Sequence, residues 1–178
     1  MPHPQSLPSR RPYLWGRRVD DLFRCACRYT ALYCACSQGA HELVPLLLAA
    51  GADADARDSS GATPLYVACL HGHAACAQIL CSAGAALDVP KNSGVTPLMI
   101  ASHHGHHCSV QVSRRRTRLP VVHLKRARCV QVMLAAGANP TITAPVLGTQ
   151  RTALQLAFDA GHSECAALLC AADARRPC

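Results

Sequence analysis

The chain has 178 residues and a formal net charge of +8, and half of its residues are apolar although only seven are aromatic (one Trp, four Tyr and two Phe). This length allows one or two domains. No uninterrupted apolar run is long enough to span a membrane, and the N-terminal residues contain no apolar stretch of the kind found in secretory signals.

The N-terminal segment, residues 1–29, is rich in proline and arginine. We expect it to be mostly disordered, and we interpret residues 16–29 as the remnant of a repeat unit.

A short phrase then recurs at a fixed interval. Thr-Pro-Leu occurs at 63–65 and again thirty-three residues later at 96–98, and looser Thr-Ala-Leu copies occupy 30–32 and 152–154. This period is typical of stacked supersecondary units. In each unit the Thr can cap a first helix, and a Gly such as Gly84 can end the second. The sequence therefore predicts an all-α solenoid of about four helix–turn–helix units with short hairpin loops, at 30–62, 63–95, 96–151 and 152–174, and a tail at 175–178.

The third unit is longer than the others, because 56 residues separate Thr96 from Thr152. Aligning it with the second unit places about 20 extra residues at 108–127 and three near 145–150. The larger insert contains no acidic residue, and its basic residues are Arg114, Arg115, Arg116, Arg118, Lys125 and Arg126.

Three interpretations of the insert are open. It is a solvated, disordered loop, such as alternative splicing or a gene-model error would introduce. It is a basic patch for nuclear import or for an acidic partner, centred on three adjacent arginines. Or it binds nucleic acid, which is disfavoured because no aromatic residues are interleaved with the basic ones for base stacking.

The repeated residues closely resemble the ankyrin repeat family. The string Gly61-x-Thr-Pro-Leu-Tyr-x-Ala-Cys-x-x-Gly72-His73, then Leu-x-x-Ala-Gly-Ala, carries the match, and the resemblance covers residues 30–174. The position that usually holds His after Thr-Pro-Leu is occupied here by Tyr33, Tyr66, Met99 and Gln155. The resemblance implies a monomeric, non-catalytic scaffold without a cofactor, which binds another protein on a concave surface of hairpin tips and first helices.

The variable positions of that surface would contact the partner. Carried over from the family pattern, they are Ser37, Gln38, Ser59, Ser60, Ala62, Leu70, His71, Asn92, Ser93, Val95, His103 and His104. The alternative is that they are merely solvated tips, because a partner uses only a handful of hot spots.

Two further strings look like the ankyrin repeat and SOCS box proteins. They are Thr-Pro-Leu-Tyr-x-Ala-Cys at 63–69 and His-x-x-Cys at 73–76. This resemblance implies a substrate-recognition fragment of a cullin–RING ubiquitin ligase adaptor. We expect the ligase-recruiting box to be missing, since only a few residues follow the last unit.

The twelve cysteines are distributed by the repeat. Equivalent positions are shared by Cys76, Cys129 and Cys165, by Cys36 and Cys69, and by Cys81 and Cys170. We therefore predict buried thiols that act as small hydrophobes, and not disulfides. Free thiols favour the cytosol or the nucleus.

Metal-binding and catalytic patterns are weak. The histidines at 103–107, with Cys108, are the best metal candidate, but histidine after a turn glycine, as at His73, is ordinary in the family that the chain resembles. We therefore expect no metal site. No phosphate-binding loop or nucleophile elbow occurs, and only Cys108 has neighbouring histidines as a base. We expect no catalytic residue and no enzymatic activity.

Overall fold

The computed structural model describes residues 29–106, 121–146 and 148–174, with His106 and residues 121–127 described by their backbone alone. In chain order the elements are α1 (Ala31–Gln38), α2 (Leu43–Ala49), α3 (Pro64–His71), α4 (Ala74–Ser82), α5 (Pro97–His103), a 3-10 turn (His104–His106), α6 (Val121–Ala135), β1 (Thr143–Val146), β2 (Thr149–Thr152), α7 (Ala153–Asp159) and α8 (Ser163–Asp173). The predicted disordered segment up to residue 28 and the tail at 175–178 lie outside the described residues.

A threonine begins the first helix of each successive pair. The hydroxyl oxygens accept the backbone N–H three residues further on at 3.1–3.3 Å, at Thr30, Thr63, Thr96 and Thr152. Proline follows two of them, where a helix needs no N–H donor. At α7 the Gln155 side chain also accepts the Thr152 N–H, which completes a capping box. The repeated phrase is thus a helix-start signal.

The helices pack in two rows. The first helices α1, α3, α5 and α7 contact one another in order, as do the second helices α2, α4, α6 and α8, and each first helix packs on the second helix of its pair. Leu32, Leu65 and Leu98, which share one position of the repeat, are fully buried in the common core. Because each pair needs its neighbours to bury its apolar face, stability is shared along the stack. The fold is a mostly helical repeat solenoid.

An antiparallel hairpin departs from the all-α prediction. Thr143 of β1 pairs with Thr152 of β2, and Val146 pairs with Thr149. The extra residues predicted near 145–150 lengthen the loop before α7 enough to form a ladder. Gly148 turns the chain with a φ of 78°, which favours glycine.

Helix α6 begins earlier than the spacing predicts. Residues 121–127, assigned to the insert from the alignment, are helical, because Pro120 precedes this stretch and neither Gly nor Pro interrupts it before residue 136. Even α6 is too short to cross a bilayer, and no other helix of the described ranges is long and apolar enough to do so. The rest of the insert lies outside the described residues, so its three interpretations stay open.

Five of the described cysteines are buried free thiols, as predicted: Cys36, Cys69, Cys76, Cys129 and Cys165. The prediction for the other shared position is wrong, because Cys81 is only half-buried and Cys170 is exposed. Cys170 lies on α8, and no described helix pair follows to cover it.

Candidate functional site

Two hairpin tips, residues 58–62 and 91–95, are held in different ways. In the first tip the buried Asp58 carboxylate accepts the backbone N–H groups of Ser60 and Ala62, both at 2.8 Å. Such a turn is fixed by its own aspartate. In the second tip Lys91 occupies the position of Asp58, and the tip is closed by its backbone, with the Lys91 N–H donating to the Val95 carbonyl at 3.0 Å.

The two tips are joined to each other. The Asn92 N–H donates to the Ser60 carbonyl at 3.0 Å, and the Asn92 side-chain amide donates to the Ser59 carbonyl at 3.3 Å. Just before the two tips, the Arg57 guanidinium donates to the Pro90 carbonyl at 2.8 Å. These bonds make the tips one continuous edge.

Tyrosines connect this edge to the first helices. Burial, followed by the nearby charge of Asp58, raises the pKa of Tyr33. One repeat later Tyr66 is buried, and the Lys91 ammonium lies 5.9 Å from its ring centroid, within cation–π range. Tyr29 stacks on Tyr33 with ring centroids 4.6 Å apart. Sequence reasoning left these residues out of the site, although the recurrence of tyrosine thirty-three residues apart was a signal.

An apolar cluster separate from the main core lies beneath these contacts. Its members are Tyr33, Ala62, Tyr66, Val67, Leu70, Val95 and Ile100. We call the face that they form, together with the polar residues of α1, α3, α5 and the two tips, the first-helix surface.

Most of the predicted contact residues have solvent access on this surface. Gln38, Ser59, His71, Asn92, Ser93 and His103 are exposed, and Ser37, Ser60, Leu70, Val95 and His104 are half-buried. Ala62 differs, because it is only 3% exposed and packs inside the cluster; it supports the surface and does not offer a side chain to a partner. For the others, contact with a partner stays a prediction. Arg114, Arg115, Arg116 and Arg118 lie outside the described residues.

The histidines that follow the turn glycines join neighbouring units. The His73 ring lies with Nε2 3.2 Å from the Ser37 carbonyl oxygen, and the His162 ring lies with Nε2 3.3 Å from the His103 carbonyl oxygen. Since a carbonyl can only accept, each Nε2 donates. These rings therefore have a structural role between units.

The metal candidate at 103–108 is only partly within the described residues. The rings of His103 and His104 meet edge to face, 5.1 Å apart, whereas His107 and Cys108 lie outside. Among the side chains that the structure describes, no group of three His, Cys, Asp or Glu could hold a metal ion.

Two overlapping stretches, residues 15–91 and 32–112, match the family model for ankyrin repeats in three copies. Together they span more than half of the chain and include α1 to α5 with both hairpin tips. No curated protein matches the chain significantly. The chain belongs to the ankyrin repeat family, whose repeats generally mediate interactions between proteins.

Proposed function

We propose that this chain is a non-catalytic adaptor that binds another protein through the first-helix surface, in the cytosol or the nucleus. The observation that carries this proposal is the apolar cluster around Tyr66, whose half-buried Leu70 and Val95 are bordered by exposed polar residues such as His71 and Asn92. An apolar centre with a polar rim is the usual composition of a protein interface. The joined tips support it further, because a preorganised surface loses little entropy on binding.

We also propose that the stack contains four repeat units, although the family match ends at residue 112. Support comes from α7 and α8, which follow a threonine cap and pack on α5 and α6 as the earlier pairs pack on each other. Gly161 between them has a φ of 76°, close to the 77° of Gly72.

Thiol chemistry supports a non-catalytic role, which is typical of ankyrin repeat proteins. A cysteine nucleophile acts as its thiolate. Burial raises the pKa of Cys36 to about 12, and burial also raises the pKa of Cys76 and of Cys165. These thiols stay protonated at neutral pH and serve as packing groups.

The proposal does not extend to a ubiquitin ligase. Two residues of the strings that resemble SOCS box proteins, Cys69 and Cys76, are fully buried and pack between helices, so a substrate-recognition role in such a ligase stays a prediction. Nucleic-acid binding would depend on the arginine run, which lies outside the described residues.

A pull-down from cell extract with two matched double variants tests the proposal. His71→Ala/His103→Ala removes two exposed side chains from the first-helix surface, and Gln78→Ala/Gln131→Ala removes two exposed side chains from the second helices. We expect the first variant to capture about tenfold less of the bound protein than the wild type, as at a binding hot spot. The second variant should capture as much as the wild type. Equal retention by both variants, with both folded, would contradict the proposal.

A further inference from the structure

Every internal junction of the stack buries the same two repeat positions. On the first helices one position holds Cys36, Cys69 and Ser102, and on the second helices the other holds Cys76, Cys129 and Cys165; all six are at most 3% exposed. The cysteines of both positions belong to one continuous core. They meet across the junctions, because burial and then the Cys76 thiol raise the pKa of Cys36, and the Cys129 thiol and then burial raise the pKa of Cys69. The first position therefore faces the following unit, and the second faces the preceding unit.

The two ends of the described stack leave these positions open. In the first described pair the position of Cys76 holds Leu43, which is 51% exposed. Leu46, one turn further along α2, is 66% exposed, whereas its counterparts Ile79 and Val132 are half-buried. In the last described pair the position of Cys69 holds Phe158, which is 62% exposed.

These exposures do not fit capped ends. Terminal repeats usually carry a polar outer face. Gln155 follows this rule, because it is exposed where Tyr66 and Met99 are buried. Phe158 breaks it by placing a larger apolar side chain where the internal units have Cys or Ser. In the described part of the chain, Leu43, Leu46 and Phe158 are the only large apolar side chains that are so exposed, and all of them lie on these two end faces.

We propose that two copies of this chain associate head to tail, with Phe158 of one copy packed against Leu43 and Leu46 of the other in the manner of an internal junction. The end faces match in position, because each presents one half of the contact that the stack makes repeatedly within itself, with larger apolar side chains in place of the thiols. Such a contact is heterologous, so it can continue beyond a dimer. The proposal leaves the first-helix surface free for a partner, and it replaces the monomer expected from the sequence.

Two charge variants of the full chain, Phe158→Asp and Leu43→Asp, test the proposal by sedimentation velocity. Measurements cover about a hundredfold range of concentration, because self-association depends on it, and reductant keeps the exposed Cys34 and Cys170 thiols from cross-linking. We expect the wild type to associate and each variant alone to be monomeric. An equimolar mixture should form dimers and nothing larger, because each variant keeps one intact end.

Other outcomes overturn the proposal. A wild-type chain that stays monomeric excludes the proposal. That result is expected if another protein, or residues 1–28 of the chain itself, cover one of the end faces. Association of Leu43→Asp at the wild-type level would indicate a tail-to-tail contact, and a mixture without dimers would exclude complementary ends.

Gln78→Asp, on α4 in the middle of the stack, should associate like the wild type. Phe158→Ser introduces the residue found at the equivalent position of α5, so it should weaken association without unfolding the chain, and circular dichroism checks the fold of every variant.

Discussion

The carboxylate of Asp88 accepts the backbone N–H of Asn139 at 3.0 Å, although 51 residues separate them. One repeat earlier the Asp55 carboxylate accepts the N–H of Ala86 at 2.9 Å, over a separation of 31 residues. The two aspartates occupy the same position of the repeat. The loop after each second helix is therefore tied to the next in the same way, and the insertion in the third unit does not alter the junction.

Replacing either aspartate should loosen the stack. We expect Asp55→Ala and Asp88→Ala each to lower the free energy of unfolding by about 1.5–3 kcal/mol, the range for a lost hydrogen bond to a charged group. Urea unfolding followed by circular dichroism measures the change. Asp173→Ala is the control, because Asp173 is exposed at the end of α8. An equal loss of stability at all three positions would show that removing a negative charge, and not losing this hydrogen bond, lowers the free energy of unfolding.

Gly61 tests the contact between the hairpin tips. Its φ is +81°, and a Cβ at this position would lie against the Asn92 side chain and 2.8 Å from Arg57 Nη2. Gly84 has a similar φ of +84° but nothing within 4 Å. Gly84→Ala should therefore cost about 1–2 kcal/mol, the backbone strain alone, and Gly61→Ala should cost clearly more. If thermal unfolding shows that Gly61→Ala and Gly84→Ala lose the same stability, the contact of Gly61 with Asn92 and Arg57 does not constrain the tips.

The local part of the fold could be predicted from the sequence. Thr63 and Thr96 start helices because a hydroxyl and the amide three residues later meet within one turn. Leu65 and Leu98 are buried because the period repeats one packing environment. These features depend on residues close together in the sequence or one repeat period apart, so the spacing of the residues predicts them.

Contacts between units could not be predicted in this way. The effect of the Asp58 charge on the pKa of Tyr33 depends on how α1 stacks beside the next tip, and the burial of Ala62 depends on the cluster that closes over it. The early start of α6 was missed because alignment to the second unit counts residues and takes no account of the uninterrupted helical stretch from Val121. Position within the repeat does not determine three-dimensional neighbours.

Alkaline pH should destabilise the fold. Burial raises the pKa of Cys36 from its ordinary 9.0 to about 12, so between these values the unfolded thiol ionises while the folded thiol keeps its proton. Because the unfolded chain then binds fewer protons, the free energy of unfolding falls as pH rises through this window, and its full contribution is present only below pH 9. Burial also raises the pKa of Tyr33 and Tyr66, which acts in the same direction.

Urea unfolding in reductant, at neutral pH and across that window, measures this dependence. Cys36→Ala removes one titrating group, so its stability should fall less steeply with pH than that of the wild type. Cys34→Ala is the matched control, since this exposed thiol lies on the same helix, and its profile should parallel the wild type. A Cys36→Ala profile as steep as the wild type would exclude the thiol as a contributor.

Deleting residues 108–127 would restore the spacing of the second unit, with His107 followed directly by Arg128. The deletion keeps the fully buried residues of α6, Cys129, Val130 and Met133, and it shortens the chain between α5 and Cys129, which lowers the entropic cost of bringing them together. We expect the melting temperature to be unchanged or higher. The shorter deletion 108–120 retains the first turns of α6 and serves as the comparison. If only the longer deletion lowers the melting temperature strongly, residues 121–127 belong to the packed stack. If both deletions lower it strongly, the insert as a whole supports the fold, which contradicts its interpretation as a solvated loop.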